Sequence, residues 1–234
     1  MAEVRKHHKE AVEDYLKAIY TLEQQGGAAR TTALAAALEV TPGSVTDMLK
    51  RLASAQDRLV SYTPHKGVSL TDRGRTRAIG VMRRHRLLET FLHQFLGYSW
   101  DEIHKEADVL EHHVSDRFIE ALDALLEHPD SDPHGDPIPS IDGELPDTDH
   151  EAITTLPEGA SVIVRRVRSH DDELLRYLAQ KGIRPGAHLR IREKAPSGGP
   201  ISVDVSGILS LGPTTVALSA EMAAVILVSE SQRR

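Results

Sequence analysis

Residues 104–116 read HKEADVLEHHVSD, three histidines and four acids in thirteen positions with no glycine or proline among them. On a helix, His104, Asp108 and Glu111 fall at i, i+4 and i+7 and share one stripe, and His112 flanks it four residues after Asp108. Neutral imidazole and carboxylates on successive turns can close on one divalent cation. The stretch before it offers His85 and Glu89, again four apart, and the N-terminal stretch offers Asp14. That is more ligand than one ion needs, so two sites per chain are expected. The plain alternative is that His-x-x-x-Glu pairs on solvated helices make only weak exposed contacts. His85 and Glu89 alone would not outweigh it; the 104–112 set does. His93, His113 and His128 read as surface residues, and His7 and His8 as part of a tail.

Other chemistries find little support. The chain has no cysteine, which removes disulfides, thiolate metal sites and thiol nucleophiles. There is no glycine-rich phosphate loop, no Gly-x-Ser-x-Gly elbow and no His-Glu-x-x-His run. A hydrolytic metal site would also need an open position and a base beside it. The expectation is therefore a sensor and not an enzyme; the competing reading is a metalloenzyme or metal-storage module with a helical N-terminus.

The elements that would carry these ligands show in the charge. The 234 residues carry a net charge of −7, but unevenly. Residues 1–75 hold 11 Lys+Arg against 9 Asp+Glu, net +2; residues 76–150 hold 6 against 17, net −11, with 8 of the 13 histidines; residues 151–234 hold 11 against 9, net +2. Acid and imidazole are thus concentrated together in the middle third. The charged N-terminus MAEVRKHHKEAVEDY is no secretory signal and no apolar run reaches the length of a membrane span, so a soluble cytoplasmic protein is expected.

EAVEDYLKAIYTLEQQ (10–25) has helical spacing at Val12, Leu16, Ile19 and Tyr20, stopped by Gly26-Gly27. TTALAAALEV is a short helix started by Thr31 or Thr32. TPGSVTDMLKRLASAQ begins with a Thr N-cap and Pro42 in the first turn. RLVSYTPHKGVSLTDRGR reads as two strands around Pro64–Gly67, and Thr71 can cap a long helix to Gly97. Three helices and a hairpin are the order of a winged helix-turn-helix, whose second short helix enters the major groove. Its candidate DNA-facing residues are Ser44, Thr46, Asp47, Lys50 and Arg51, with Thr31, Thr32 and Pro42 beside them and His65 and Lys66 at the wing tip. An ordinary helical bundle with one hairpin is the alternative. A further helix is expected from Ser99, through a Ser-x-x-Glu capping box with Glu102, to about Glu127. PDSDPHGDPIPSIDGELPDTDH (129–150) is an irregular acidic stretch. Beyond it, about five short strands and one helix, DDELLRYLAQKG, suggest a small barrel.

With these pieces in place the chain resembles the diphtheria toxin repressor family of iron- and manganese-dependent regulators along nearly its whole length. VEDYLKAIYTLEQQG is similar to the family's first helix, TPGSVTDMLKRL to its recognition helix, and RRHRLLETFL with IHKEADVLEHHVSD to its metal-binding helices. HGDPIP (134–139) resembles its Gly-x-Pro-Ile-Pro segment, and ITTLPEGASVIVRRV with LAQKGIRPGAHLRI its SH3-like C-terminal domain. The resemblance implies a winged helix-turn-helix over 1–75, a helical dimerisation and metal-binding domain over 76–142, a linker over 143–152 and an SH3-like β domain over 153–234. It also implies a primary site of Asp14, Asp108, Glu111 and His112, and an ancillary site of His85, Glu89 and His104 completed from the C-terminal domain by Asp171 or Glu173, in the stretch HDDE. Homodimers on palindromic operator DNA are implied, with Ile103, Val109, Leu110, Phe118, Leu122 and Leu125 as the candidate interface, unless these only close the monomer core.

Two departures bear on the metal. Asp14 stands where iron-dependent members carry Met, and Asp108 where they carry Cys. Hard oxygen in place of soft sulfur suits Mn²⁺, with cross-response to Fe²⁺. Lys17 stands where two-metal manganese regulators carry Glu, which favours separated sites over a bridged pair.

Overall fold

The computed structural model describes residues 2–24, 26, 29–54, 58–146, 150–169, 171–206 and 214–231, with the backbone alone for 2–8. The chain divides into two compact units, residues 1–84 with 139–144, and residues 85–138 with 145–234.

The first unit begins with α1 (Ala2–Gln24). Its Val12, Tyr15, Leu16, Ile19 and Tyr20 are buried, three and four apart, so one face of the helix makes the core. The helix starts earlier than its apolar pattern suggests. His7 and His8, expected in a tail, are on helical backbone, and their side chains lie outside the described residues. Helix α2 (Thr31–Ala37) starts at Thr31, as expected, after Arg30 in the N-cap position without a side-chain hydrogen bond. Helix α3 (Pro42–Ser54) is capped as expected: Thr41 Oγ1 accepts the Ser44 N–H at 3.2 Å, and Pro42 takes the first turn, where its missing N–H costs nothing. Val45, Leu49 and Leu52 of α3 are buried with Leu34 of α2. Strands β1 (Val60–Thr63) and β2 (Gly67–Leu70) pair antiparallel, Thr63 opposite Gly67, as the wing. Glu23 ties the wing back to α1 by accepting the Leu70 N–H at 2.8 Å.

Helix α4 (Asp72–Leu96) starts at Thr71, whose Oγ1 accepts the Gly74 N–H at 3.2 Å, and stops before Gly97 at φ +73°. It contributes its first half to one unit and its second half to the other.

In the second unit the single helix expected over 99–127 is two. Helix α5 (Ile103–Leu110) ends at Glu111, and α6 (Asp116–Leu125) begins anew at Ser115, whose Oγ accepts the Phe118 N–H at 3.2 Å. Ser115 is a local N-cap, and its extended backbone is incompatible with a continuing helix. Only half of the expected Ser99–Glu102 box forms: Glu102 accepts the Ser99 N–H at 3.0 Å, but the Glu102 N–H goes to the Ser99 carbonyl and Glu102, not Ser99, is the N-cap of α5.

The C-terminal part is a six-stranded antiparallel sheet in the order β3-β8-β4-β5-β6-β7. Its strands are β3 (Glu151–Ala152), β4 (Ser161–Val167), β5 (His188–Lys194), β6 (Ile201–Ser206), β7 (Thr214–Leu218) and β8 (Ile226–Glu230). Helix α7 (Asp172–Gln180) follows β4, and the short α8 (Ala220–Ala224) precedes β8. Buried Val164, Leu175, Leu178 and Ile191 share one core with Leu87, Leu92, Trp100 and Ile103 of the helices. Residues 131–138 form an irregular strap on β4. The Val167 N–H donates to His134 O at 2.9 Å, and a Cβ on Gly135 would lie 1.9 Å from Arg165 O. Only glycine fits there, at φ +83°. The architecture is a mainly α N-terminal part followed by a small β domain.

Candidate metal centre and nucleic-acid interface

Helix α4 presents His85 and Glu89 one turn apart, and α5 presents His104 beside them. His85 Nε2, His104 Nδ1 and Glu89 Oε1 form a triangle with sides of 2.9, 3.0 and 3.0 Å. Donor atoms on one face of an octahedral divalent ion stand about 3.0 Å apart, given bonds of about 2.1 Å. The other ring nitrogen, His85 Nδ1, meets Glu111 Oε2 at 2.6 Å and Asp108 Oδ1 at 3.3 Å. Asp108 reaches His104 Nε2 with its second oxygen, at 3.6 Å. His85, Glu89 and Glu111 are buried, with a polar lining that nothing in an apolar core would require.

A second group lies behind Glu89. Glu89, Asp132 and His134 are all buried, with one ligand atom of each within 4.8 Å of the others. His134 Nε2 lies 2.9 Å from the carbonyl oxygen of Trp100, which can only accept, so Nε2 carries the hydrogen. The remaining nitrogen, Nδ1, is buried without a hydrogen bond, 3.9 Å from Glu89 Oε1. A buried lone pair aimed at two carboxylates is a donor set for a cation. Asp132 Oδ1 accepts the N–H groups of His134 and Asp136 at 2.8 and 2.9 Å, which shapes the strap. Arg86 and Asp136 flank it, and Arg86 also donates to Pro137 O.

The carboxyls behave oppositely. Burial alone would raise Glu89, but the charge of His85, hydrogen bonds from His104 and His85, and the nearby His134 ring hold it well below the usual carboxylate range. Burial, and then the negative charges of Glu89 and Asp136, push Asp132 well above that range against the opposing pull of Arg86. One ionised and one neutral carboxyl can share a hydrogen bond; two ionised ones need a cation.

The sequence-predicted ligands thus divide. His85, Glu89, His104, Asp108 and Glu111 come together in the second unit, and His112 Nε2 stands 3.5 Å from Glu111 Oε1. Glu111 is the C-cap of α5 with helical backbone, its N–H donating to Ala107 O at 2.9 Å, so it stays on the stripe with His104 and Asp108, whereas His112 sits in the turn before α6. Asp14 is half-buried on α1, in the first unit. Asp171 and Glu173 are not in this cluster. Asp171 is the N-cap of α7, its Oδ1 accepting the N–H groups of Glu173 and Leu174 at 2.9 and 3.2 Å, and Glu173 is exposed. The neighbouring Asp172 pairs with Lys105, and Arg176 binds Asp101 at 2.8 Å. His170, the start of the HDDE stretch, lies outside the described residues. Sequence reasoning missed Asp132 and His134. The signal was present as a histidine and an acid two apart in a Pro-bounded segment, but without periodicity to aim them.

In the first unit, Ser44, Asp47, Lys50 and Arg51 of α3 are exposed, and Thr46 is half-buried with its hydroxyl donating to Pro42 O at 2.9 Å. Thr32, Pro42, His65 and Lys66 are exposed and Thr31 is half-buried. His65 adopts φ +64° at the wing tip. Ile103 and Leu122, expected at a dimer face, are buried in the core, whereas Val109, Phe118 and Leu125 are exposed, as are Phe95 and Leu96.

Three family models match in succession: the iron dependent repressor N-terminal DNA binding domain over 7–68, the iron dependent repressor metal binding and dimerisation domain over 71–140, and the FeoA domain over 152–230. The iron-dependent repressor IdeR of Mycobacterium leprae is 31% identical over 233 residues, covering 94% of this chain and 97% of that protein. The diphtheria toxin repressor of Corynebacterium efficiens is 34% identical over 193 residues, covering 78% and 83%. A solved manganese-dependent transcriptional repressor in complex with manganese superposes with a TM-score of 0.83 at 39% identity, covering 94% of this chain and all of that one.

Proposed function

Because the chain belongs to the diphtheria toxin repressor family of metal-dependent transcriptional repressors, we propose that Mn²⁺, with Fe²⁺ as a second activator, switches it as a homodimer onto palindromic operator DNA. It is a DNA-binding regulator, as its relatives are, and not an enzyme. We read it as working parts at 1–75, 76–142 and 153–234, joined by 143–152.

The observation that carries the metal reading is the triangle of buried His85 and Glu89 with half-buried His104. In the proposed arrangement an ancillary site uses His85, Glu89 and His104, extended through Glu89 by Asp132 and His134 in place of Asp171 and Glu173. The primary site uses Asp108, Glu111 and His112 with Asp14, a ligand set taken from the resemblance to the family. The donors are nitrogen and oxygen only, and the chain has no cysteine, which favours Mn²⁺ or Fe²⁺ over softer ions. A bound divalent ion supplies positive charge among acids that otherwise repel one another. The chain's own part is to hold those acids close at the cost of mutual repulsion and to link α1, through Asp14, to the helices that follow. To act as a switch, the state that fits DNA must hold the ion more tightly by roughly a few kcal/mol.

A mobility-shift titration on DNA selected from a random pool tests this. Mn²⁺ should induce the shift and His112→Ala should abolish it. Activation by Zn²⁺ or Fe²⁺ at far lower free concentration than Mn²⁺ would sink the manganese assignment.

A further inference from the structure

Among the described residues of the first unit, Glu13 is the buried acid that the proposed ligand set leaves unused. Its side chain is 3% exposed, on α1, immediately before Asp14. Arg77 Nη2 approaches Oε1 at 3.4 Å and Arg84 Nη2 approaches Oε2 at 3.5 Å, while Lys9 Nζ stands 3.9 Å from Oε1. Arg77 and Arg84 are seven residues apart on α4, two turns along one face, so their backbones stand about 10 Å apart along the axis. One carboxylate therefore spans two turns of α4 with its two oxygens.

Position on the helix gives this clamp its use. Apolar packing resists separation but is non-directional, so it fixes sliding and rotation poorly. Among residues 9–24 the buried apolar side chains of α1 run from Val12 to Tyr20, and residues 9–11 are not buried. Asp14 lies two residues after Val12, the first of these buried side chains. A charge-assisted contact has direction as well as strength, and fixing register is the best-attested use of a buried ion pair.

We propose that Glu13 is the positioning residue for Asp14: held by Arg77 and Arg84, it sets the rotation and axial register of α1 and so the place from which Asp14 offers its carboxylate to a divalent cation. This rests on reading Asp14 as a ligand.

The test is Mn²⁺ binding to the full chain, read from the electron paramagnetic resonance signal of free Mn²⁺. The variants are Glu13→Gln, Asp14→Ala and the double variant, with Val45→Ala in α3 as a core-destabilised control. Glu13→Gln should weaken the Mn²⁺ binding that Asp14→Ala removes by about ten- to a hundred-fold, and should cost nothing further in the Asp14→Ala background. Arg84→Gln opens the same clamp from its other side and should reproduce the loss if Glu13→Gln does not fold. Unchanged affinity in both clamp variants would overturn the proposal. So would a loss that persists without Asp14, or an equal loss in Val45→Ala at the same fall in melting temperature. Wild-type affinity in Asp14→Ala would instead overturn the ligand reading beneath it.

Discussion

His134 is the residue whose chemistry can be read most directly, because the chain's one tryptophan lies against it. The rings of Trp100 and His134 stack with centroids 5.3 Å apart, and Trp100 Nε1 donates to Pro133 O at 3.0 Å. Paramagnetic Mn²⁺ held by His134 should quench Trp100 fluorescence in a saturable way that a chelator reverses. His134→Ala should abolish that quenching; saturable quenching that survives in the variant would remove His134 from the ligand set. Asp132 makes a prediction about pH. Its folded pKa is raised above the unfolded value, so its contribution to stability is fully present below about 4 and is lost as pH rises through the folded value. Asp132→Asn keeps an oxygen for the His134 and Asp136 N–H groups and can donate to Glu89. Without metal, the variant should therefore melt higher than wild type at neutral pH, with the difference fading in acid, while it binds Mn²⁺ more weakly. A variant that melts lower at pH 7 would contradict a raised Asp132 pKa.

At the scale of elements, legibility in the sequence followed periodicity. The winged helix was readable because α3 carries both a cap and a buried stripe, and because the hairpin is marked by Pro64 and Gly67. His85 and Glu89 were found because they lie on one face of an unbroken helix. Glu111 was found because it closes the last turn of α5, whereas His112 was found as a type and placed on a helix that stops: a spacing rule continues through Ser115, but the backbone takes the local cap there. The strap at 131–138 was illegible, since its conformation is set by bonds to β4 and not by neighbours in sequence. Two tests belong here. Lys50→Ala on α3 should weaken DNA binding across sequences and flatten the dependence of log affinity on log salt by about 1; an unchanged slope would take Lys50 off the phosphates. Gly135→Ala should destabilise the metal-free protein by roughly 2 kcal/mol or more in chemical denaturation, since a Cβ meets Arg165 O and the positive φ is strained as well.

For the whole molecule, the acidic middle third and the exposed Phe95, Leu96, Val109, Phe118 and Leu125 bear on assembly. Exposed apolar side chains gathered within a segment matched by a dimerisation model argue for a partner surface. Phe118→Glu should convert the dimer to monomer in sedimentation and abolish the metal-induced mobility shift; a dimer that survives would move the interface elsewhere. Acid should also loosen the C-terminal domain. Burial raises the Asp101 carboxyl, but hydrogen bonds from Arg176 and then Ser99 hold it below its ordinary value, so that tie contributes above the unfolded pKa and is lost as pH falls through the folded one.

His85 has one nitrogen toward Glu111 and the other toward Glu89 and His104, and a neutral imidazole has a single lone pair. When Nε2 gives that pair to a cation, the hydrogen must sit on Nδ1, where it steadies Glu111. A cation on the Glu111 side that claimed Nδ1 would turn the hydrogen against Glu89. The place of that one proton thus couples the Glu111 side of the ring to the Glu89 side.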